Sequence, residues 1–230
     1  MQKFSKDQIA TALALLFHTI GVAGILFVNN DFFVRSTPIN LLLSFFLLLW
    51  TQKEKNYAFY IFISIVFITG FAAELIGVNT GLLFGNYNYG NVLGVKWQQT
   101  PLIIGINWII IIYCCGVSVT TLLAKIIRAN IEPVPQPSNT LKALSVITDG
   151  ATLAVIFDWL MEPVAIKLNF WQWEDNNIPV YNYACWFFFS LLLLLLFHVC
   201  RFNKQNKFAV NLLLIQFLFF LILRTFLPAQ

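Results

Sequence analysis

Four carboxylates of the sequence fall inside long apolar segments, at Glu74, Asp149, Asp158 and Glu162. An ionisable side chain within a membrane-spanning segment is costly, and it is by default a candidate for function. Asp158 and Glu162 are four residues apart and share a helix face, whereas Asp149 precedes Asp158 by nine residues and falls on roughly the opposite side. A carboxylic acid removed from water can keep its proton at neutral pH, and two close acids disfavour double ionisation. The chemistry that these residues could perform is therefore proton transfer, with Asp158 as the first choice for the donor.

Amide and aromatic side chains accompany the acids. Asn40 lies early in one predicted helix, and Asn107 with Trp108 lies early in another, where the amides could hold water. Two long connections, 77–100 and 167–181, contribute aromatic residues that could offer π faces to a cation: Tyr87, Tyr89, Trp171 and Trp173. Trp and Tyr also serve as interface anchors in membrane proteins of any function. Their joint clustering with the acids favours one site. Its catalytic candidates are Asp158, Glu162 and Glu74, and its substrate-binding candidates are Asn40, Tyr87, Tyr89, Asn107, Trp108, Asp149, Trp171 and Trp173.

The segments that carry these residues have the composition and length of transmembrane helices. Hydrophobic residues make up 59% of the 230-residue chain and charged residues only 10%, whereas a soluble domain carries about 25% charged residues. Since so few charges cannot coat a water-facing surface, lipid must be the solvent. About 20 apolar residues cross the hydrocarbon core, and the candidate segments are 8–28, 37–50, 57–76, 101–124, 141–166, 182–200 and 208–227. We predict an all-α, polytopic integral membrane protein whose residues 1–230 form a single transmembrane domain.

The distribution of Lys and Arg predicts the orientation of these helices, because positive charges favour the cytoplasmic side. With the N-terminus inside, the inner segments hold ten basic residues and the outer segments hold four. Omitting the short second helix would reverse every later loop and spoil this bias. We therefore predict about seven transmembrane helices, with the N-terminus inside and the C-terminus outside, in a multi-pass protein of the cell membrane. This orientation brings Glu74, Asp158 and Glu162 towards the outer side.

Other features limit the chemistry further. Pro163 follows Glu162 and removes a backbone donor, so we predict a kink or the end of the helix there. The two histidines, His18 and His198, lie at different depths and lack neighbours at ligand spacing, so we predict no metal site. The net charge of +4 is too small to indicate nucleic acid. The sequence contains no phosphate-binding loop and no dinucleotide fingerprint.

Several short motifs occur in order over about two thirds of the chain. They are Thr37-Pro38-x-Asn40, Glu74-x-x-Gly77, Phe84-Gly85-x-Tyr87-x-Tyr89, Pro101 to Trp108, Asp158-x-x-x-Glu162-Pro163, Phe170-Trp171-x-Trp173 and Ile178-Pro179-x-x-Asn182-Tyr183. This ordered set resembles the carotenoid biosynthesis membrane family typified by the CruF-type carotenoid hydratases, which include the bisanhydrobacterioruberin hydratases. One departure is Glu162-Pro163, where many members of the family have Asp-Pro. The acid is retained but is one carbon longer.

The resemblance implies a hydro-lyase that adds water to a terminal carbon–carbon double bond of an acyclic carotenoid and produces a tertiary alcohol. Substrates in the family include lycopene-like and γ-carotene-like pigments and C50 bacterioruberin precursors. The resemblance implies no organic cofactor and no metal, and its partners are the carotenoid, membrane lipid and other carotenoid enzymes. In such a reaction Asp158 would protonate the alkene, and Glu162 or Glu74 would orient water and accept its proton.

Two other functions use the same features. A membrane lycopene cyclase begins with the same protonation, but an internal alkene captures the cation instead of water. A small proton-coupled transporter would arrange its acids as a relay open to both sides, whereas here the acids crowd one side and the helices lack the matched Gly/Pro breaks of inverted repeats. A structural membrane subunit without chemistry is a third alternative.

Overall fold

The computed structural model describes residues 4–28, 30–129, 137–174 and 177–228. Within these ranges the chain forms eight helices and four short strands, numbered in chain order. The helices are α1 (Lys6–Phe27), α2 (Asn30–Arg35), α3 (Thr37–Thr51), α4 (Tyr57–Thr80), α5 (Ile103–Ala129), α6 (Asn139–Lys167), α7 (Val180–Val199) and α8 (Lys207–Phe226). The strands are β1 (Tyr87–Tyr89), β2 (Lys96–Trp97), β3 (Thr100–Pro101) and β4 (Trp171–Trp173).

Six described helices, α1 and α4 to α8, are long and apolar enough to cross a membrane. The apolar helix α3 has 15 residues, which extend about 22 Å against a hydrocarbon core of about 30 Å. The prediction of an all-α polytopic membrane protein is confirmed, and each of the seven predicted segments is helical. Helix α2 was not predicted. It is a short turn before α3, and Arg35 pairs with Asp31 across it at 2.8 Å.

Helix α5 forms the centre of the bundle, because every side chain from position 108 to 117 is buried. It packs against α3, α4, α6 and α8, while α6 packs closely along α7 and α1 along α8. Helix α5 also continues beyond the predicted end at residue 124. Lys125 and Arg128 end the apolar pattern, but charged residues of this kind are good helix formers and extend the helix out of the apolar zone.

Contacts between helix ends agree with a chain that crosses at α3. The Lys6 ammonium at the start of α1 lies 6.0 Å from the ring centre of Trp50 at the end of α3. The Asn56 side chain, which caps α4, donates to the carbonyl of Arg201 between α7 and α8 at 2.8 Å. These ends therefore meet on one side of the bundle, the side that the Lys/Arg bias predicts to be inside. The orientation relative to a membrane stays a prediction.

Helix α6 continues through Pro163 to Lys167 and does not end at the proline. Proline has no N–H, so the carbonyl four residues earlier, that of Trp159, loses its helical donor. The Arg224 guanidinium of α8 donates to that carbonyl at 2.9 Å and lies 4.0 Å from the Trp159 ring centre. Helix α6 therefore continues past the acids, and α8 replaces the hydrogen bond that the proline removes.

The two long connections meet as a small antiparallel sheet, which the sequence did not predict. Strand β1 pairs with β4 so that Tyr87 faces Trp173 and Tyr89 faces Trp171. Side chains alternate across a strand, and these four aromatic side chains are buried, while the intervening Asn88 and Gln172 are exposed. The sheet thus directs four aromatic residues to one side, over the ends of α4 and α6.

Candidate active site

Three acids from two helices converge in one small cavity of about 20 Å³, the acid cavity. Glu74 comes from α4, while Asp158 and Glu162 come from successive turns of α6, and all three are at most 5% exposed. The cavity is also lined by residues from α5, α6, α7, the small sheet and the connection before β1: Phe84, Tyr87, Tyr89, Ile104, Asn107, Met161, Trp171, Trp173, Asn182 and Trp186. The structure therefore brings the three predicted acids together with the four predicted aromatics.

Glu74 accepts three hydrogen bonds and has both carboxyl oxygens occupied. The hydroxyls of Tyr87 and Tyr89 donate to Oε2 at 2.5 and 2.8 Å, and the indole of Trp108 donates to Oε1 at 3.0 Å. Burial raises the pKa of both tyrosines well above the ordinary phenol value, and the charge of Glu74 raises it further. The two phenols therefore stay protonated and donate. An ionised carboxylate only accepts hydrogen bonds, and three donors match that form.

Two glycines on α4 permit this arrangement, one turn on either side of Glu74. A Cβ at Gly70 would lie 2.5 Å from Cγ of Trp108, and a Cβ at Gly77 would lie 3.0 Å from the Tyr87 hydroxyl. Real Cβ atoms do not approach other atoms as closely as the first of these distances. The absence of a side chain at both positions therefore lets the indole and the phenol reach the carboxylate.

Glu162 is also held by three donors. The indoles of Trp171 and Trp173 donate to Oε2 at 2.9 and 3.0 Å, and the Asn182 amide donates to Oε1 at 3.2 Å. The indoles come from alternate positions of β4, so strand pairing with β1 sets both donors at once. Glu162, like Glu74, has no carboxyl oxygen free of a hydrogen bond.

Asp158 differs from the other two acids. Its Oδ2 accepts from the Asn182 amide at 2.8 Å. Its Oδ1 is buried and has no hydrogen-bond partner in the described part of the chain. Asp158 lines the acid cavity and is 1% exposed, so this oxygen is shielded from bulk solvent. Among the described residues, Asp158 is the one of the three acids with a carboxyl oxygen that has no hydrogen-bond partner, and this oxygen could carry a proton.

No Lys, Arg or His side chain of the described residues forms an ion pair with any of the three acids. A buried charge without a partner is strongly disfavoured. Three adjacent carboxyls without a cation therefore cannot all be ionised. The donor pattern favours Asp158 as an acid that keeps its proton, because it accepts fewer hydrogen bonds from the described residues than Glu74 or Glu162.

The aromatic wall of the cavity is extended by a residue that the sequence did not single out. Trp186 of α7 stacks on Trp108 with ring centres 4.3 Å apart and planes inclined by 17°. It lies one turn after Asn182. Asn182 belongs to the motif Pro179-x-x-Asn182, but the sequence indicated no role for it. The sequence signal for Asn182 was its position three residues after Pro179, in the first turn of a helix that faces the two acids of α6. No comparable pattern marked Trp186.

The remaining predicted residues lie at the edge of the site or outside it. Asn107 lines the acid cavity. Asn40 lines an adjoining cavity, where its amide nitrogen lies 3.5 Å from Nε2 of His18. Asp149 is not brought to the site: its side chain is exposed and accepts a hydrogen bond from Ser145 one turn earlier. Within the described ranges, no three His, Cys, Asp or Glu side chains group so that they could hold a metal ion.

Comparison with known proteins identifies the family. A family model described as "Carotenoid biosynthesis protein" matches residues 36–229. No curated protein matches the chain, and no solved structure matches it. The match includes every element that lines the acid cavity, from α4 to α7, and confirms the family expected from the motifs. The chain therefore belongs to the carotenoid biosynthesis protein family, as a multi-pass membrane protein with a role in carotenoid biosynthesis.

Proposed function

We propose that this protein is a carotenoid hydratase of the CruF type, which adds water to a terminal carbon–carbon double bond of an acyclic carotenoid. One observation carries the proposal. Among three buried acids, Glu74 and Glu162 have every oxygen occupied by donors, whereas Asp158 lines the cavity and its Oδ1 has no partner among the described residues. This is the arrangement that acid catalysis on an apolar substrate requires, with one protonated carboxyl beside fixed negative charge.

The first step is proton transfer from Asp158. An isolated trisubstituted alkene is a weak base, so its protonation requires an acid held against it without competing water. The Oδ1–H bond breaks, and the π electrons of the alkene bind the proton at the less substituted carbon. A tertiary cation remains at the other carbon. The Asn182 amide, which already donates to Oδ2, is in position to stabilise the carboxylate left behind.

The cation is stabilised by charge and by aromatic faces. Glu74 and Glu162 supply negative charge that is already in place before the cation forms, and preorganised charge of this kind is the largest contribution in many enzymes. Tyr87, Trp173 and the other ring systems of the wall offer π faces. The same wall is apolar enough to bind the end of a polyene.

Water completes the reaction. Its oxygen lone pair bonds to the tertiary cation, and the extra proton of the resulting oxonium passes to Glu162. The carboxyls of Glu162 and Asp158 share the Asn182 amide, with contacts of 3.2 and 2.8 Å. Proton transfer between them returns Asp158 to its acid form. The net change is one water added per double bond, with no oxidant or reductant.

Expression in a lycopene-producing host tests the proposal. Each modified end should gain the mass of one water, and growth in H₂¹⁸O should place the heavy oxygen in a hydroxyl group. A cyclase would instead give a product with the mass of lycopene and no label. Unchanged lycopene in a host where the protein is present in membranes would refute the proposal. Fractionation of the same cells would test the proposed location in the cell membrane.

A further inference from the structure

Beside the acid cavity lies a second cavity of about 60 Å³, the amide chamber, which is defined by His18 of α1, Asn40 of α3 and Gln216 of α8. His18 and Gln216 are each 5% exposed. A water molecule occupies about 30 Å³ in the liquid, so the chamber has room for about two. The proposed mechanism uses none of its three polar residues.

Two side-chain oxygens at the amide chamber are buried hydrogen-bond acceptors without a donor in the described ranges, and a ring nitrogen of His18 adds a third acceptor. The Oδ1 of Asn40 and the Oε1 of Gln216 are buried and have no partner among the residues that the structure describes. Nδ1 of His18 lies 2.8 Å from the Ala14 carbonyl, which can only accept, so Nδ1 carries the hydrogen. In neutral His18, Nε2 is then a further acceptor, with the Asn40 amide nitrogen 3.5 Å away.

Acceptors of this kind need an occupant that brings hydrogen, because a buried acceptor without a donor is costly. A polyene has no O–H or N–H group and cannot satisfy them. Water can do so, and each molecule has two hydrogens to donate. The volume, burial and acceptor pattern of the chamber all fit water.

The amide chamber adjoins the acid cavity. Four residues line both: Ile104, Asn107, Met161 and Trp171. Asn107 lines both cavities, so its amide can contact a molecule that passes between the two. We propose that the amide chamber holds the water that attacks the carbocation, and that Asn40 and Gln216 position it. This inference rests on the proposed hydratase function.

Loss of this water has a specific chemical consequence. Asp158 would still protonate the alkene, but the cation would meet no nucleophile. It would instead lose a proton from a neighbouring carbon to the carboxylate. The π bond would form again, either in place or shifted by one carbon. The product is then an alkene with the mass of the substrate, apart from any deuterium acquired from the acid.

The test uses the full-length protein in membranes equilibrated with D₂O, with lycopene as the probe. Gln216→Leu and Asn40→Leu keep side-chain size but remove the acceptors. Each should lower the hydrated product by about tenfold, the effect of one hydrogen bond of about 1.4 kcal/mol. Deuterium in recovered or isomerised alkene should persist or rise. Ser190→Ala is the matched control, because Ser190 also has a buried unpartnered oxygen but lies on α7 outside the chamber; it should leave the product ratio unchanged.

The outcomes separate the two proposals. An unchanged ratio of hydrated to deuterated alkene product in both leucine variants would overturn the water chamber, while the hydratase function would stand. A parallel loss of both products in variants that remain folded would also overturn it, since that pattern indicates a structural or substrate-binding role. If the unmodified protein forms no hydrated product, the hydratase function fails and the chamber assignment fails with it.

Discussion

Replacement of Asp158 by Asn probes the proposed acid with little change of shape. The amide that replaces the carboxyl group cannot transfer a proton to an alkene, but its carbonyl oxygen can still accept the hydrogen bond that Asn182 donates at 2.8 Å. The second polar atom takes the place of Oδ1 of Asp158, which has no partner among the described residues. The substitution therefore removes the acid function and keeps the only hydrogen bond found for this side chain.

The expected loss follows from the role. General acid catalysis contributes about 10² to 10⁴ in rate, which corresponds to about 3 to 5 kcal/mol in the activation barrier. The free energy of unfolding should change by about 1 kcal/mol or less, because no protein hydrogen bond is lost. A rate loss of this size without a matching loss of stability distinguishes a catalytic acid from a structural one.

The assay compares initial rates of hydrated-product formation from lycopene in membranes that contain equal amounts of folded protein, with thermal stability measured in detergent on the same preparations. Asp149→Asn is the matched control, since Asp149 is another acid of α6 but is exposed and bonded to Ser145. That variant should keep the full rate. A folded Asp158→Asn variant with a rate within threefold of the unmodified protein, on the order of 0.6 kcal/mol, would refute the assignment of the acid.

Three further variants test how the site is held. Gly70→Ala should displace the indole of Trp108, because the added Cβ would lie 2.5 Å from Cγ; overpacking of about 1 to 3 kcal/mol should appear as a lower melting temperature. Trp173→Phe removes one of the two indole donors to Oε2 of Glu162 and should slow hydration about tenfold without loss of protein from membranes. Burial raises the pKa of Tyr89. The contribution of Tyr89 to stability is therefore complete below the ordinary phenol pKa of about 10 and falls above it, where only the unfolded phenol ionises. The Tyr89→Phe variant should show a shallower decline in melting temperature above a pH of about 10.

Hydropathy was sufficient to predict the long helices, including the two that carry the three acids of the site. Long apolar segments form helices in lipid because every backbone group must be paired within the segment. The i, i+4 spacing fixed Asp158 and Glu162 on one face, and the nine-residue offset of Asp149 agrees with its position away from the site. Both properties depend only on residues that are close together in the sequence.

The donors that distinguish the three acids could not be predicted in the same way. Strands β1 and β4 have three residues each and lie about 80 positions apart in the sequence, too short for a periodic signal of their own. His18 of α1 and Gln216 of α8 line the same cavity, but their helices are far apart in the sequence. A polar residue in an apolar helix does not indicate which neighbouring helix it faces. The pairing of distant elements decides which carboxyl is left with a free oxygen.

Isotope incorporation in membranes tests the central claim most directly. The reaction is run with lycopene in D₂O enriched in ¹⁸O, and the product is examined by mass spectrometry and NMR. Acid-catalysed hydration predicts deuterium on the carbon that Asp158 protonates and ¹⁸O in the hydroxyl on the adjacent tertiary carbon, with both labels absent from the Asp158→Asn variant. Oxygen derived from O₂, or a hydroxylated product with no deuterium on the neighbouring carbon, would contradict the account.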